Sequence, residues 1–250
     1  MYNPFSLEGK TILVTGASSG IGRGIAVECS KMGAFVIVTG RNRERLHETY
    51  NLLEGDGHAQ IIADLSKNEN IENLIEQCPP LDGCVNNAGI PKLSTIKFIK
   101  HESLKEILDI NTIAPIILTS SLVKKKKLKK GASVVFISSI SGVIISTLGE
   151  STYSASKGAI NGFVKGAAID LASQRIRVNS VNPGLIQTNI LELANEIFSE
   201  EQIQEKLKQY PLKRIGQPED VAYAAIYLLS DASSWVTGSN IVIDGGFTLQ

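Results

Sequence analysis

Short β-branched runs alternate with longer segments of helical periodicity along the chain, and this alternation restricts the fold more than any other feature. The runs predict strands that are apolar on both faces, at Thr11–Thr15, Phe35–Thr39, Gln60–Ala63, Gly83–Asn86, Ser133–Ile137, Arg177–Val181 and Ile241–Ile243. Helical periodicity lies between them, at 21–32, 43–54, 68–77, 101–128, 152–173 and 218–229. Strands of this kind are typical of a parallel sheet covered by helices on both sides. The pattern therefore predicts an α/β fold, a doubly wound parallel sheet of about seven strands.

The chain of 250 residues has no Pro- or Gly-rich linker, no internal repeat and no abrupt change in composition, which predicts a single domain over residues 1–250. One amphipathic segment, at about 188–212, is inserted between the sixth and seventh predicted strands. Its apolar residues recur at helical spacing, namely Ile190, Leu193, Ala194 and Ile197. The segment is either a surface helix or, because ligands bind outside the carboxyl ends of the strands, a substrate lid.

Composition excludes several classes of function. The 25 basic and 25 acidic side chains cancel, so the chain lacks the basic footprint of a nucleic-acid binder. No apolar run approaches the ~18 residues of a membrane helix, and Glu8 and Lys10 stand where a signal peptide would place its apolar core. Three cysteines without CxxC spacing and three scattered histidines argue against a metal site. Reduced thiols in a cytoplasmic protein are the simpler interpretation.

A glycine-rich turn follows the first predicted strand and leads directly into a helix. It reads Thr15-Gly16-Ala17-Ser18-Ser19-Gly20-Ile21-Gly22. Glycines at such a turn let a pyrophosphate approach the backbone and sit on the free N–H groups at the positive end of the helix. Because the turn is the first strand–helix connection, it predicts a dinucleotide site.

The end of the second strand predicts which dinucleotide is bound. In this architecture an acid about 20 residues beyond the glycines binds the adenosine ribose 2′-hydroxyl. Here the strand runs into Gly40-Arg41-Asn42, with no carboxylate. The guanidinium of Arg41 suits a phosphate, although an exposed turn arginine would look the same. The sequence therefore favours NADP(H) over NAD(H).

Tyr153 and Lys157 are four residues apart at the start of a predicted helix and so share one face. An ammonium at ~4 Å supplies up to ~4 kcal/mol at an effective dielectric near 20, enough to lower a phenol's pKa from ~10 toward 7. Such a pair could exchange a proton with a carbonyl or alcohol oxygen while hydride passes to or from a nicotinamide. Ser138 and Ser139 end the fifth predicted strand, where a hydroxyl could hydrogen-bond the substrate oxygen. Asn111 lies inside a long predicted helix, which a functional Asn would bend around a bound water.

Several motifs occur together, in order, along essentially the whole chain. They are the TGxxxGxG turn, Asp64-Leu65, the NNAG run at 86–89, Asn111, the strand-end serine, Tyr153-x-x-x-Lys157 and Asn182-Pro183-Gly184. In these motifs the chain resembles the short-chain dehydrogenase/reductase family, in its compact branch of about 250 residues with a Rossmann-type fold. The carboxyl-terminal segments Arg214–Asp220, Val236–Gly238 and Asp244–Gly246 resemble the 3-oxoacyl-(acyl carrier protein) reductases of that family.

The resemblance implies roles for individual residues. Tyr153 is implied as the general acid/base, Lys157 as the ribose-binding group that lowers its pKa, and Asn111 as the holder of a relay water. The implied cofactor contacts beyond the turn are Asp64 and Leu65 at the adenine, Asn87, Ala88 and Gly89 at the adenosine and ribose, and Pro183, Gly184, Ile186 and Thr188 at the nicotinamide end. Arg41 with the adjoining Asn42 matches the NADP-preferring subgroup.

The catalytic serine is best matched by Ser139, which stands three residues before Gly142. It precedes Tyr153 by one residue more than the family pattern, which indicates an insertion in the loop 143–149. Ser138 and Ser141 stay open as alternatives. The resemblance also implies homodimers or homotetramers that pair the helices at 101–128 and 152–173, with residues such as Ile107, Ile160 and Phe163 either at that interface or in the core of one chain.

These features predict an NADPH-dependent reduction of a ketone, carrier-bound or free, to a secondary alcohol. Two alternative functions stay open. One is a dehydrogenase of a sugar, polyol or other small alcohol, and the other is a non-catalytic nucleotide-sensing protein. Six lysines in the run KKKKLKK at 124–130 are interpreted as a solvated helix end, where cations oppose the negative end of the helix dipole. The alternative interpretation is a docking patch for an acidic carrier.

Overall fold

The computed structural model describes residues 2–188 and 207–249, and its centre is a parallel sheet. The strands are β1 (Thr11–Thr15), β2 (Phe35–Gly40), β3 (Ala59–Ile62), β4 (Leu81–Asn86), β5 (Leu128–Ile137), β6 (Arg177–Pro183) and β7 (Asn240–Ile243). The predicted strands are all present, and the main differences in their bounds are earlier starts of β4 and β5.

Helices connect the strands. They are α1 (Gly20–Lys31), α2 (Arg43–Asn51), α3 (Asn68–Gln77), α4 (His101–Leu108), α5 (Ala114–Lys124), α6 (Ser151–Asp170) and α7 (Pro218–Leu229). A π-helical turn, Asp109–Ile113, joins α4 to α5 without interruption. Short 3-10 turns occur at Ile96–Phe98, Ala172–Gln174, Asp231–Ser233 and Phe247–Leu249.

The strand order is β3-β2-β1-β4-β5-β6-β7, and every pairing is parallel. The chain winds outward in one direction from β1 to β3 and in the other from β4 to β7. The order reverses between β1 and β4, and the crevice outside the carboxyl ends of these strands is where doubly wound sheets bind ligands. The predicted fold class is confirmed.

Two apolar layers cover the sheet. Side chains alternate along a strand, so Leu13 of β1 enters the layer under α3, α5 and α6, whereas Ile12 and Val14 enter the layer under α1 and α7. In β5, Val134 and Val135 divide between the two layers in the same way. This burial of both faces explains the continuous β-branched runs in the sequence.

The predicted helix 101–128 is too long at its carboxyl end. It stops at Lys124, and Leu128 already begins β5, buried and paired with Leu81 of β4. The lysine run at 124–130 therefore covers a helix end, a turn and the first residues of a strand. Strand pairing of Leu128 outweighs the helical propensity of the flanking lysines, which a sequence pattern does not reveal.

Half of the lysine run is engaged with neighbouring elements. Lys125 lies 3.4 Å from Glu76, Lys127 donates to main-chain carbonyls at the end of α3, and Lys129 lies 2.7 Å from Asp82. Lys124, Lys126 and Lys130 are exposed and make no ion pair with the described residues, whereas Lys125 and Lys129 are exposed but paired. All six stand at the end of the sheet where β5 begins, opposite the end where β5 delivers Ser138 and Ser139.

The continuous helical stretch His101–Lys124 is long and apolar enough to cross a bilayer by length and composition. Core helices meet the same criteria, and Leu118 and Leu122 of this stretch are buried against the sheet. Ile107 and Ile160 are likewise buried within the chain, which favours the core over the interface of the two predicted alternatives, and Phe163 packs edge-on against Phe136. The exposed large apolar residues on the described parts of these helices are instead Ile113, Ile117 and Ile169.

Most of the predicted insertion at about 188–212 lies outside the described residues. This part contains its four apolar residues at helical spacing, Ile190, Leu193, Ala194 and Ile197. Its two ends are described and lie together. Gln187 N donates to Gly216 O at 2.7 Å, and Gly216 N donates to Leu185 O at 3.1 Å. Tyr210 is buried and stacks on Phe247 with ring centroids 5.0 Å apart. The inserted segment thus leaves and rejoins the domain at the carboxyl end of β6.

Candidate active site

One cavity of about 680 Å³ opens along the carboxyl edge of the sheet, across the point where the strand order reverses. Residues from the ends of β1, β2, β4, β5 and β6 line it, together with the start of α6. Of the predicted site residues, those on its wall are Gly16, Ser18, Ser19, Gly20, Ile21, Arg41, Asn42, Asp64, Leu65, Asn87, Ala88, Gly89, Ser139, Tyr153, Lys157, Pro183, Gly184, Ile186 and Thr188. The structure therefore brings the predicted cofactor and catalytic residues to one site.

The glycine turn has the tight packing that its sequence predicts. Gly16 has φ of +63°, and a Cβ there would lie 2.8 Å from Ala88 Cα. Gly22 is not on the cavity wall, because it packs inward, where a Cβ would lie 2.3 Å from Gly16 O. Asn87 holds the turn from the β4 side, since its Nδ2 donates to Thr15 O at 3.1 Å and to Gly16 O at 3.2 Å. The turn is thus fixed in shape before any ligand binds.

The far end of the cavity, beyond β2, is basic. Arg41 and Arg45 are both exposed on its rim, and Asn42 caps α2 by accepting from Arg45 N at 2.9 Å. Burial raises the pKa of the Asp64 carboxyl in part, but hydrogen bonds from Ser66 and the charge of Arg41 outweigh it and lower that pKa overall. Asp64 is therefore ionised at neutral pH, with the Arg41 guanidinium nearby.

Tyr153 and Lys157 occupy the opposite end of the cavity, on the first turns of α6. Lys157 is buried, and its Nζ donates to Ile137 O at 2.9 Å. The same Nζ lies 5.9 Å from the centroid of the Tyr153 ring. The two side chains therefore share one helix face, as the spacing predicts, and their joint action in catalysis stays a prediction.

The electrostatics at this pair differ from the expectation. Burial raises the pKa of the Tyr153 phenol, a hydrogen bond with Ser139 lowers it in part, and the charge of Glu150 raises it further. Burial lowers the pKa of Lys157 from 10.5 to about 8. The predicted lowering of the phenol's pKa by Lys157 is therefore wrong for the protein's own groups. Burial removes water from both groups and so disfavours the Tyr153 phenolate and the Lys157 ammonium. A four-residue spacing in the sequence does not reveal this burial.

The structure also distinguishes the three candidate serines. Ser138 Oγ donates to Lys157 O at 3.0 Å and accepts from Asn161 Nδ2 at 2.7 Å. Ser141 Oγ donates to Glu150 at 2.9 Å. Only the Ser139 hydroxyl among the three interacts with the Tyr153 phenol. Ser139 is therefore the serine that faces the reacting group, as the S-x-x-G spacing indicated. Gly142 has φ of +86° in that run, and a Cβ on it would meet Ser154 O at 2.0 Å.

Asn111 lies behind the cavity wall rather than on it. It is buried in the π-helical turn, so the predicted distortion of the helix is present at this residue. Its Oδ1 accepts from Ile90 N at 2.8 Å, and its Nδ2 donates to Ile90 O at 3.0 Å and to Ser156 Oγ at 3.1 Å. A Cβ on Gly89 would lie 3.2 Å from Asn111 Oδ1 and 3.5 Å from Lys157 Nζ. The role of Asn111 in a water relay stays a prediction.

Sequence reasoning missed several wall residues, namely Gly40, Arg45, Ala63, Ser66, Ile90, Pro91, Ile110, Ile137 and Leu185. Arg45 has a usable signal, because it follows Arg41 by four residues on the amino end of a predicted helix. Arg23 is a further omission, since its guanidinium donates to Ser18 O at 3.0 Å and Arg45 O at 3.3 Å and so joins the glycine turn to α2. No sequence motif indicates that contact.

The residues present fit a dinucleotide. The close approach of Gly16 to Ala88 forms a cradle that a side chain would fill, with an amino-terminal helix end beside it. Guanidinium groups stand at one end of the cavity and the Tyr153 phenol at the other. Among the described residues, no group of three His, Cys, Asp or Glu side chains is placed to hold a metal ion.

Comparison with known proteins agrees with this geometry. Residues 16–248 match the family model described as enoyl-(acyl carrier protein) reductase. The chain is 38% identical over 243 residues to the 3-oxoacyl-[acyl-carrier-protein] reductase FabG of Rickettsia felis, covering 97% of this chain and 98% of the relative. It is 34% identical to the FabG of Thermotoga maritima, covering 97% and 99%.

Solved structures with the same fold give a consistent result. A short-chain type dehydrogenase/reductase from Mycobacterium marinum is 32% identical with a TM-score of 0.88, covering 99% of this chain and 98% of that chain. An Agrobacterium tumefaciens protein solved with bound NADP, under the provisional name 2-deoxy-D-gluconate 3-dehydrogenase, is 30% identical with a TM-score of 0.88 and full coverage of both chains. The chain therefore belongs to the short-chain dehydrogenase/reductase family, and it is an oxidoreductase of that family.

Proposed function

We propose that the protein uses NADPH to reduce a ketone to a secondary alcohol, and that its substrates are 3-oxoacyl groups carried as thioesters. The main support for this proposal is that one cavity contains the glycine turn and Arg41 together with the Tyr153–Lys157 pair. The name shared by its relatives, 3-oxoacyl-[acyl-carrier-protein] reductase, supports the substrate class.

The chain's own residues account for the proton side of this reaction. A bound NADPH would supply the hydride that the carbonyl carbon accepts. Tyr153 then gives its phenolic proton to the carbonyl oxygen, and the Ser139 hydroxyl donates a hydrogen bond to that oxygen as negative charge develops on it. Lys157 would bind the nicotinamide ribose. Asn111 and a bound water would help to return a proton to the phenolate that remains. The product is the secondary alcohol, with one hydride and one proton added.

The electrostatics favour the reductive direction. A phenol whose pKa is raised by burial holds its proton at neutral pH and can act as a general acid. Oxidation of an alcohol would require the phenolate instead. We therefore infer that ketone reduction is the faster direction near pH 7.

The substrate test offers the purified protein NADPH with a panel of ketones, and NADP⁺ or NAD⁺ with the matching alcohols. The panel contains an acetoacetyl thioester, a small free ketone and several keto sugars. The proposal predicts the highest kcat/KM for the thioester. Faster oxidation of a sugar or polyol would favour the alternative function, a sugar or polyol dehydrogenase. The name of the structural neighbour with bound NADP supports that alternative. Cofactor binding without turnover of any compound would favour a nucleotide sensor, which the presence of both Tyr153 and Lys157 argues against.

We propose NADP(H) over NAD(H), with Arg41 and Arg45 as the groups that bind the 2′-phosphate. Arg41→Ala should reduce the preference for NADPH over NADH, expressed as a ratio of kcat/KM, by about 10- to 100-fold, because a hydrogen bond to a charged group contributes about 1.5–3 kcal/mol. Arg45→Ala should reduce it by about tenfold.

Arg43→Ala is the matched control for this test. Arg43 is exposed on the first turn of α2, the helix that also carries Arg45, but it is absent from the cavity wall. We expect this variant to keep the wild-type preference for NADPH over NADH. An unchanged NADPH/NADH ratio in Arg41→Ala would show that this arginine does not select the cofactor.

We propose that carrier docking, if it uses the lysine run, involves Lys124, Lys126 and Lys130, which are exposed and make no ion pair with the described residues. Replacing these three with Gln should raise KM for a carrier-bound 3-oxoacyl substrate by about tenfold, since exposed ion pairs contribute 0.2–1 kcal/mol each. KM for a small free ketone should not change.

The lysines 125, 127 and 129, replaced together with Gln, form the matched control. These substitutions remove the same charge from the same run, but the lysines they replace are already engaged in contacts with α3 and Asp82. An equal rise in KM for the two sets of variants would contradict a docking role for Lys124, Lys126 and Lys130. So would an equal rise for carrier-bound and free ketones.

We further propose a cytoplasmic homodimer or homotetramer. Burial of Cys29, Cys78 and Cys84 as free thiols suits a reducing compartment. Ile113, Ile117 and Ile169 give the helices at 101–124 and 151–170 an exposed apolar surface through which copies could pair. The role of the 188–212 insertion as a substrate lid is likewise a proposal.

A further inference from the structure

Ser139 is held in place by a neighbour that the motifs do not include. Its Oγ accepts a hydrogen bond from Ser141 N at 3.1 Å, and both serines are buried. A hydroxyl has one hydrogen and two lone pairs. With one lone pair bound to the Ser141 N–H, the hydroxyl hydrogen of Ser139 stays available for the phenol oxygen of Tyr153 or for a substrate oxygen.

Ser141 is held in turn by Glu150. Ser141 Oγ donates to Glu150 Oε2 at 2.9 Å, and the same carboxylate oxygen accepts from Thr147 N at 3.1 Å. Glu150 immediately precedes α6, three residues before Tyr153, where a carboxylate also interacts favourably with the helix dipole. One side chain thus ties the loop after β5 to the helix that carries the phenol.

We propose that Glu150 is a positioning residue for the reaction, which fixes, through Ser141, the orientation of the Ser139 hydroxyl beside Tyr153. A second contact joins the same two elements, because Ser146 Oγ and Ser154 Oγ lie 2.8 Å apart. The loop is therefore expected to stay folded when Glu150 is changed, while the link to Ser139 is lost. The inference rests on the proposed function for its kinetic readout only.

Two substitutions separate position from charge. Glu150→Gln removes the charge but keeps a side-chain oxygen that can accept from Ser141 and Thr147, whereas Glu150→Ala removes both. If Glu150 positions Ser139, Glu150→Ala should lower kcat for ketone reduction by about tenfold, because a small misplacement of a reacting group lowers the rate. KM for NADPH should not change. Glu150→Gln should stay within about threefold of wild type, and Ser141→Ala, which breaks the same link, should match Glu150→Ala.

Ser139→Ala provides the control background. It should lower kcat by about 100-fold, as loss of a hydrogen-bond donor to a developing oxyanion does elsewhere. If Glu150 acts through Ser139, adding Glu150→Ala to Ser139→Ala costs nothing more. A further tenfold loss in the double variant would overturn the proposal.

A titration of the Tyr153 phenol gives a readout that needs no substrate. The ionisable groups facing it in the described structure are Glu150 and Lys157, both on the helix of Tyr153 or adjoining it. Glu150→Gln should lower the phenol's pKa, since it removes a negative charge. Glu150→Ala should give the phenol a higher pKa than Glu150→Gln does, because it also releases Ser139, whose hydrogen bond lowers that pKa. In the Ser139→Ala background the two variants should have the same phenol pKa.

The phenol is followed by ¹³C-tyrosine spectra, assigned with Tyr153→Phe, with circular dichroism at each pH to verify folding. Equal pKa values in Glu150→Gln and Glu150→Ala would overturn the positioning role. Failure of the wild-type protein to reduce any ketone would overturn the proposed function, while the titration would still decide whether Glu150 orients Ser139.

Discussion

Tyr153→Phe is expected to lower kcat for ketone reduction on the order of 10³-fold, within the range that general acid catalysis contributes. The phenylalanine ring preserves the packing of a half-buried side chain but cannot give a proton to the carbonyl oxygen. Affinity for NADPH, measured by fluorescence titration, should stay within about threefold of wild type, because the glycine turn and the arginines are unchanged.

The pH dependence of the wild-type protein provides a second check on Tyr153. Because burial raises the phenol's pKa, the acid form is present throughout the neutral range. The rate of reduction should therefore be level with pH near neutrality and fall only in the alkaline range. A kcat in Tyr153→Phe within a factor of about three of wild type, on a genuine substrate, would contradict the assignment of the phenol as the acid.

Lys157→Met is expected to abolish most turnover and yet stabilise the fold. The pKa of Lys157 is lowered from 10.5 to about 8 by burial, so the folded protein disfavours the ammonium relative to the unfolded chain. A shift of that size corresponds to about 3 kcal/mol of destabilisation. This cost is present in full below pH 8, decreases between pH 8 and 10.5, and is absent above 10.5, because the unfolded chain then binds no extra proton.

Loss of the hydrogen bond from Lys157 Nζ to Ile137 O offsets part of the gain. We expect Lys157→Met to raise the free energy of unfolding by about 1–2 kcal/mol at pH 7 and to lose that advantage near pH 10.5. Urea denaturation of both proteins at the two pH values measures the effect, and Lys157→Arg is the control that keeps the charge. Equal differences in stability at pH 7 and pH 10.5 would show that the buried ammonium is not the cause.

The sheet was predictable because its strands are buried on both faces. Residues such as Ile12, Leu13 and Val14 leave no polar position in the strand pattern, and the glycine turn after them marks the first crossover. The start of β5 was not predictable, because Lys129 and Lys130 have the composition of a helix end and only pairing of Leu128 with β4 makes them part of a strand.

Most residues of the candidate site were predictable from the sequence, but its electrostatics were not. Spacing alone places Tyr153, Lys157 and Ser139 at one edge, since strand ends and the following helix converge there. Spacing does not give burial, which decides the direction of both pKa changes at the catalytic pair. It also does not reveal Glu150, whose contact with Ser141 depends on the path of the loop between them.

Transfer of deuterium from the cofactor to the product reports on ketone reduction by NADPH, because it follows the hydride itself. The protein is incubated with an acetoacetyl thioester and NADPH that carries deuterium on the transferable position of the nicotinamide C4, and the product is analysed by mass spectrometry. We expect the wild-type protein to form a 3-hydroxyacyl thioester with one deuterium on the carbinol carbon, and this product to be nearly absent with Tyr153→Phe. A product without deuterium at that carbon, or equal labelling by both proteins, would contradict it.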